Sequence, residues 1–105
     1  MMPDSIVVVA NIKVRKDVEE KVKKEIGLII EQTRKEKGCL RYDVFQSSND
    51  PTHLISYEKW QNRQALDEHL KKIYIVNLLA KTKEYFKQPI ELTLYKEIDA
   101  PHNLR

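Results

Sequence analysis

Residues Lys37 to Leu70, KGCLRYDVFQSSNDPTHLISYEKWQNRQALDEHL, decide the fold. Two segments within this stretch, 39–46 and 53–60, have the alternating side-chain pattern of β-strands. The run SSNDPT between them is dense in turn-forming residues, so the two strands are predicted to form a hairpin. Asn62 follows the second strand and is predicted to cap the N-terminus of a helix.

The hairpin sequence also separates its side chains by face, because successive residues of a strand point to opposite sides of the sheet. One face is predicted to carry Leu40, Tyr42, Val44, Leu54, Ser56, Glu58 and Trp60. The opposite face is predicted to carry Cys39, Arg41, Asp43, Phe45, His53, Ile55 and Tyr57.

A strand and a helix are predicted before the hairpin. Residues 6–14 read IVVVANIKV, a β-branched run in which Asn11 is a polar exception that either bonds a neighbouring backbone or lines a cavity. Helical spacing then begins after Asp17, the predicted N-cap, and Gly38 is predicted to end this helix at its C′ position. Gly27, inside the helix, is interpreted as a point of close packing against the sheet.

Helical spacing resumes after the hairpin, where an inward-facing stripe is predicted to consist of Leu66, His69, Leu70 and Ile73. His69 is therefore expected to be buried. A further helical stretch is predicted to reach Phe86, and Pro89 separates it from a last strand over Ile90 to Ile98. The order strand, helix, strand, strand, helix, strand predicts a ferredoxin-like α+β fold.

In such a fold, the helices cover one face of a four-stranded antiparallel sheet. Residues 1–105 are predicted to form a single domain, with its core at about 5–98 and a tail at 99–105 that is loose or lies on a partner. The second sheet face would expose large apolar side chains, so the protein is predicted to be a homodimer that joins two sheets.

The charge pattern argues against several classes of partner. Nineteen basic residues are offset by sixteen acidic ones, and no basic cluster is interleaved with aromatic residues, so no nucleic-acid partner is expected. No apolar run approaches the length that spans a bilayer, and no membrane partner is expected. The single cysteine and the absence of a leader-like N-terminus predict a cytoplasmic protein.

Three sequence features together are similar to a known family: the first strand, the run GCLRYD from Gly38 to Asp43, and the run YEKW from Tyr57 to Trp60. The chain resembles the antibiotic biosynthesis monooxygenase domain of the dimeric α+β barrel superfamily. This resemblance implies a homodimer with a small-molecule pocket between each sheet and its helices. It places five residues around that pocket, namely Asn11, Tyr42, Glu58, Trp60 and His69.

The chain departs from the family pattern after His69. Relatives commonly read His-x-x-x-Pro-His there, whereas this chain reads HLKKIYI, with Ile73 and Tyr74 at the last two positions. Tyr74 is expected to donate in place of the second histidine. Haem-degrading relatives carry an iron-ligating histidine further along, and its absence here argues against haem.

The family resemblance implies oxygenation without a cofactor, which requires a base, donors for a developing oxyanion and a dry cavity. His69 is the candidate base, while Trp60 and Asn11 are the further candidate catalytic residues. Tyr42, Glu58 and Tyr74 are the candidate substrate-binding residues, with Glu58 also interpreted as a structural partner for His69 or Arg41. Each of these side chains has a purely structural interpretation as well, in which it belongs to the core.

No metal is expected, because His53, His69 and His102 fall in different elements. No cofactor is expected either, as the resemblance to cofactor-free oxygenases implies. The function that the resemblance implies is a cofactor-independent monooxygenase of a small aromatic quinol or related enolisable compound. Two alternatives stay open: a non-catalytic module that binds a small hydrophobic molecule, and an isomerase or lyase of a small carbonyl metabolite.

Overall fold

The computed structural model describes residues 4–98; the predicted tail at 99–105, with His102, lies outside the described residues. The described residues form four strands and four helices. Their bounds are β1 (Ile6–Lys13), α1 (Glu19–Thr33), β2 (Cys39–Gln46), β3 (His53–Trp60), α2 (Arg63–Leu70), α3 (Ile73–Ala80), α4 (Thr82–Tyr85) and β4 (Glu91–Tyr95), with a 3-10 turn at Lys16–Val18.

The strands form one antiparallel sheet in the order β2-β3-β1-β4. Side chains of α1, α3 and α4 pack on β1 and Leu54 of β3, while Leu66 of α2 packs with Val8, Tyr42 and Trp60. All four helices therefore cover the same face of the sheet, which we call the helix face. This architecture confirms the predicted ferredoxin-like α+β fold.

The ends of α1 differ from the prediction. Asp17 lies in the 3-10 turn, and Val18 occupies the N-cap position without a side-chain hydrogen bond. The helix ends at Thr33 rather than near Gly38. The side chain of the next residue, Arg34, reaches β2, where its Nε donates to the Tyr42 carbonyl at 2.9 Å and its Nη2 donates to Asp43 Oδ1 at 2.9 Å. Gly38 has no positive φ, so it is not the predicted C′ glycine.

Neither glycine has the role predicted for it. A Cβ atom added at Gly27 would meet nothing within 4 Å, so this glycine is not a packing contact with the sheet. A Cβ atom at Gly38 would lie 2.3 Å from Cβ of Ala65 in α2. Gly38 is thus the position where the chain entering β2 passes directly against α2.

The region after β3 begins as predicted and then diverges. Asn62 Oδ1 accepts from the Ala65 backbone N–H at 2.9 Å, which confirms the cap. The helical region predicted after Asn62 is interrupted at Lys72, whose backbone is extended, and a separate helix, α3, begins at the next residue. As a consequence Ile73 is 69% exposed and does not belong to the buried stripe. The last strand covers Glu91–Tyr95, shorter at both ends than predicted.

An irregularity in β2 changes the face of its first residues. The register against β3 shifts between Cys39 and Arg41, as in a β-bulge. Cys39 therefore packs with Tyr42 and Trp60 on the helix face, whereas Leu40 is left exposed. The prediction had placed these two residues the other way round, since strict alternation holds only without a bulge.

The other sheet face, which we call the open face, carries Phe45, Ile55 and Tyr95 with 49%, 37% and 50% of their surfaces exposed. Arg41 lies over the Tyr57 ring there, 4.8 Å from its centroid. No helix within residues 4–98 is long and apolar enough to cross a membrane.

Candidate functional site

A cavity of about 120 Å³ lies between the helix face of the sheet and helices α2 and α3. Most of its lining is aliphatic, and its polar side chains are Tyr42, Ser56, Glu58 and His69. Leu79 and Leu92 are both 42% exposed, which places the mouth of the cavity between α3 and β4. The cavity thus combines an apolar interior with a few polar groups, as small-molecule sites do.

His69 is buried on α2 and is held from several sides. Its ring lies 4.5 Å from the Trp60 ring and 5.6 Å from the Tyr42 ring, measured between centroids. Its Nδ1 atom lies 2.9 Å from Oε2 of Glu36, at hydrogen-bond distance. Its Nε2 atom bonds to no group within residues 4–98, so this nitrogen is the one left for a ligand.

Glu36 comes from the connection between α1 and β2, and its side chain is only 8% exposed. Its Oε2 lies at hydrogen-bond distance from Nδ1 of His69 and also accepts a hydrogen bond from the hydroxyl of Tyr74 on α3. Glu36 was not among the predicted site residues, because its contacts lie 33 and 38 positions away and nothing in the local pattern points to them. Glu36 joins α2 and α3 at the back of the cavity.

Glu58 has a different set of partners from those predicted. It accepts a hydrogen bond from Ser56 Oγ at 2.6 Å and another from Trp60 Nε1 at 2.9 Å. The prediction that it orients His69 or Arg41 is wrong, since Glu36 holds His69 and Arg41 pairs with Asp43 on the open face. The indole N–H of Trp60 is consequently already engaged by a protein carboxylate.

Asn11 does not belong to this cavity. It lies on the open face opposite Ile55, where its Oδ1 is 2.6 Å from Nε2 of His53 and its Nδ2 donates to Glu91 at 3.3 Å. The resemblance-based placement of Asn11 beside the pocket is therefore wrong. Its side chain is separated from His69 by the sheet itself.

Burial keeps the hydroxyl and thiol groups of the site protonated. Burial, reinforced by the Glu58 carboxylate, raises the pKa of Tyr42 well above its ordinary value. The Tyr42 hydroxyl makes no hydrogen bond within residues 4–98, so it is a free donor at the cavity. Burial and the hydrogen bond to Glu36 raise the pKa of Tyr74, and burial raises that of Cys39 to about 11.

Three of the six predicted site residues, Tyr42, Glu58 and His69, come together on the cavity wall. Trp60 and Tyr74 lie one contact behind it, through their bonds to Glu58 and Glu36. Within residues 4–98, no three histidine, cysteine, aspartate or glutamate side chains group as metal ligands would. The arrangement can take a proton at His69 and give a hydrogen bond from Tyr42.

Comparisons with known proteins agree with the fold. An uncharacterized protein from Synechocystis is 33% identical over 93 residues, covering 89% of this chain and 63% of its own length. A Mycobacterium tuberculosis protein described as "Putative monooxygenase" is 30% identical over 98 residues, covering 93% of this chain and 96% of its own.

The solved structure of that Mycobacterium tuberculosis protein superposes with a TM-score of 0.84 and covers 92% of this chain and 98% of the other. The family model described as antibiotic biosynthesis monooxygenase matches residues 5–87. This range contains every residue of the cavity wall except Ile90 and Leu92. The chain therefore belongs to the antibiotic biosynthesis monooxygenase family.

Proposed function

We propose that this protein is a monooxygenase that needs no cofactor and acts on a small aromatic quinol or a related enolisable ring. The observation that carries the proposal is the mainly aliphatic cavity, whose wall includes a histidine with a free Nε2 and a tyrosine with a free hydroxyl. Family membership and the description of the Mycobacterium tuberculosis relative as a monooxygenase give independent support.

The proposed reaction balances without an external reductant. His69 Nε2 removes a proton from the substrate, and the resulting anion passes an electron to O₂ before the carbon and oxygen radicals combine. The peroxide anion formed in this way takes the proton back from His69, and the resulting hydroperoxide loses water, so that one oxygen atom stays on the ring and the other leaves as H₂O. The substrate supplies all the electrons: a ring CH₂ with O₂ gives a ring C=O with water.

Tyr42 has the complementary role in this scheme. Deprotonation places negative charge on the substrate oxygen, and a protonated hydroxyl within a dry cavity stabilises such an oxyanion more strongly than water does. The raised pKa of Tyr42 keeps that hydroxyl in its donor form throughout the physiological range.

The size of the cavity restricts the substrate. Its volume of about 120 Å³ is close to the ~150 Å³ of an engineered protein cavity that holds one benzene molecule. A substrate with a single ring is therefore the proposed class, since a fused three-ring anthrone would have to extend through the mouth of the cavity.

The test is oxygen uptake by chelator-treated protein supplied with one-ring, two-ring and three-ring quinols or anthrones. The expected result is uptake and formation of the oxygenated product with one-ring compounds, and none under nitrogen. Turnover of an enolisable carbonyl compound without oxygen would favour the isomerase alternative. Thermal stabilisation by ligand without any turnover would favour the binding module.

The open face is proposed to pair with the same face of a second copy. Phe45, Ile55 and Tyr95 expose large apolar surfaces there, and a homodimer would bury them against each other. Replacing Phe45 with lysine should weaken the dimer, because an unpaired charge at a buried interface is costly. Light scattering after gel filtration should show a dimer for the native chain and a shift toward monomer for Phe45→Lys.

The matched control for Phe45→Lys is Leu28→Lys, since Leu28 is an exposed apolar residue on α1, outside the sheet. This variant should remain dimeric. A native chain that is monomeric at all concentrations would contradict the proposed dimer.

A further inference from the structure

We propose that Glu36 is the positioning residue of the site, which fixes His69 with its proton on Nδ1 and its basic lone pair on Nε2. This inference rests on the proposed role of His69 as the base. It concerns a residue that the sequence pattern did not single out, and it assigns a specific tautomer to a specific ring.

The hydrogen-bond geometry determines the tautomer. An ionised carboxylate can only accept hydrogen bonds, so Nδ1 at 2.9 Å from Glu36 Oε2 must carry the proton. The same oxygen also accepts from the Tyr74 hydroxyl, whose raised pKa keeps its proton in place. Two donors thus converge on one carboxylate oxygen, and Nε2 of His69 is the ring nitrogen left to accept a proton from a ligand.

The rings around His69 keep this arrangement in one orientation. Trp60 lies at a centroid distance of 4.5 Å and Tyr42 at 5.6 Å, so a flip of the imidazole would have to displace packed aromatic side chains. Glu36 itself is held between α1 and β2 and is nearly inaccessible to water. A base preorganised in this way loses little conformational entropy when substrate binds, because its proton and its ring are already in position.

Long-range ¹H–¹⁵N NMR of the native protein, without substrate, reports which imidazole nitrogen carries the proton. The His69 signals are assigned by their loss in His69→Gln. The expected result is a single Nδ1–H form. An Nε2–H form in the native protein would overturn the inference, whatever the variants show.

Glu36→Met tests whether Glu36 fixes the tautomer of His69, because this substitution keeps the length of the side chain and removes the hydrogen-bond acceptor. The expected result is loss of the single Nδ1–H form and a fall of at least about 100-fold in kcat, with a much smaller change in KM. The matched control is Glu25→Met. Glu25 likewise accepts a tyrosine hydroxyl, from Tyr85 at 2.6 Å, but is not part of the cavity wall.

Glu25→Met should change neither the tautomer nor kcat. If Glu36→Met retained the Nδ1–H form and full activity, Glu36 would be a structural residue only. If Glu36→Met does not fold, the NMR spectrum of the native protein still shows which nitrogen of His69 carries the proton, and this result supports or overturns the inference. Because the NMR experiment needs no substrate, an Nδ1–H form in a protein that oxygenates no quinol would count against the proposed function and leave this inference standing.

Discussion

Replacing His69 with alanine is expected to lower kcat for quinol oxygenation by at least about 100-fold, since a positioned general base contributes about 10²–10⁴. The ring is the only imidazole on the cavity wall formed by residues 4–98, and its Nε2 is the nitrogen without a protein partner. Steady-state oxygen uptake at saturating one-ring quinol measures the effect. Circular dichroism establishes that the variant is folded.

The control for this experiment is His53→Ala. His53 lies on the open face with Asn11 and takes no part in the cavity, so its removal should leave kcat unchanged. Trp60→Phe should give a smaller loss than His69→Ala, because a phenyl ring still packs beside His69 while Glu58 loses a donor. Unchanged rates in both His69→Ala and Trp60→Phe would contradict the proposed site.

Replacing Gly38 with alanine is expected to reduce both stability and activity. The added Cβ would lie 2.3 Å from Cβ of Ala65, more than 1 Å inside the usual contact distance of about 3.5–4.0 Å between carbon atoms. Overpacking of this kind costs about 1–3 kcal/mol. Thermal unfolding should therefore show a melting temperature lower by at least about 4 °C.

The activity should fall for a geometric reason. His69 lies one helical turn after Ala65 on α2, so a displacement of that helix moves the proposed base, and a misplacement of about 1 Å costs on the order of 100-fold in rate. The double variant Gly38→Ala with Ala65→Gly removes the clashing atom and should recover most of the loss, a non-additivity typical of residues in contact.

Gly27→Ala serves as the matched control, because it is the same substitution in open space. It should raise the stability by about 0.4–1 kcal/mol, as glycine in a helix costs conformational entropy. A Gly38→Ala variant that melts like the native protein would show that the chain entering β2 can move away from α2 freely.

Local patterns predicted the hairpin well. The bounds of β2 and β3 agree with the alternating segments, and the Asn62 cap and the burial of His69 also follow from spacing within one helix. Each of these features depends on neighbours a few residues apart. A local sequence window contains all the information that such features require.

Asn11 shows the limit of reasoning from family resemblance. Strict side-chain alternation along β1 places Asn11 on the same face of the sheet as Val7 and Val9, and the register of the strands agrees with this placement. The resemblance had placed it at the pocket instead. Side-chain alternation follows from the geometry of the extended chain, so it was the stronger guide here.

Glu36 and Cys39 could not have been placed from the sequence. The contacts of Glu36 depend on how α2 and α3 fold back over the α1–β2 connection. The face of Cys39 depends on a single irregularity in the pairing of β2 with β3, and no residue type marks its position. Both are consequences of tertiary packing, which a local window does not contain.

The irregularity in β2 also has a chemical consequence for the thiol of Cys39. By turning this side chain toward Tyr42 and Trp60, it places the sulfur in surroundings that raise its pKa to about 11. At neutral pH, only about one molecule in ten thousand then carries a thiolate, the form that peroxides and alkylating agents attack. A cysteine placed beside a cavity proposed to handle oxygen is thereby kept in its least oxidisable state.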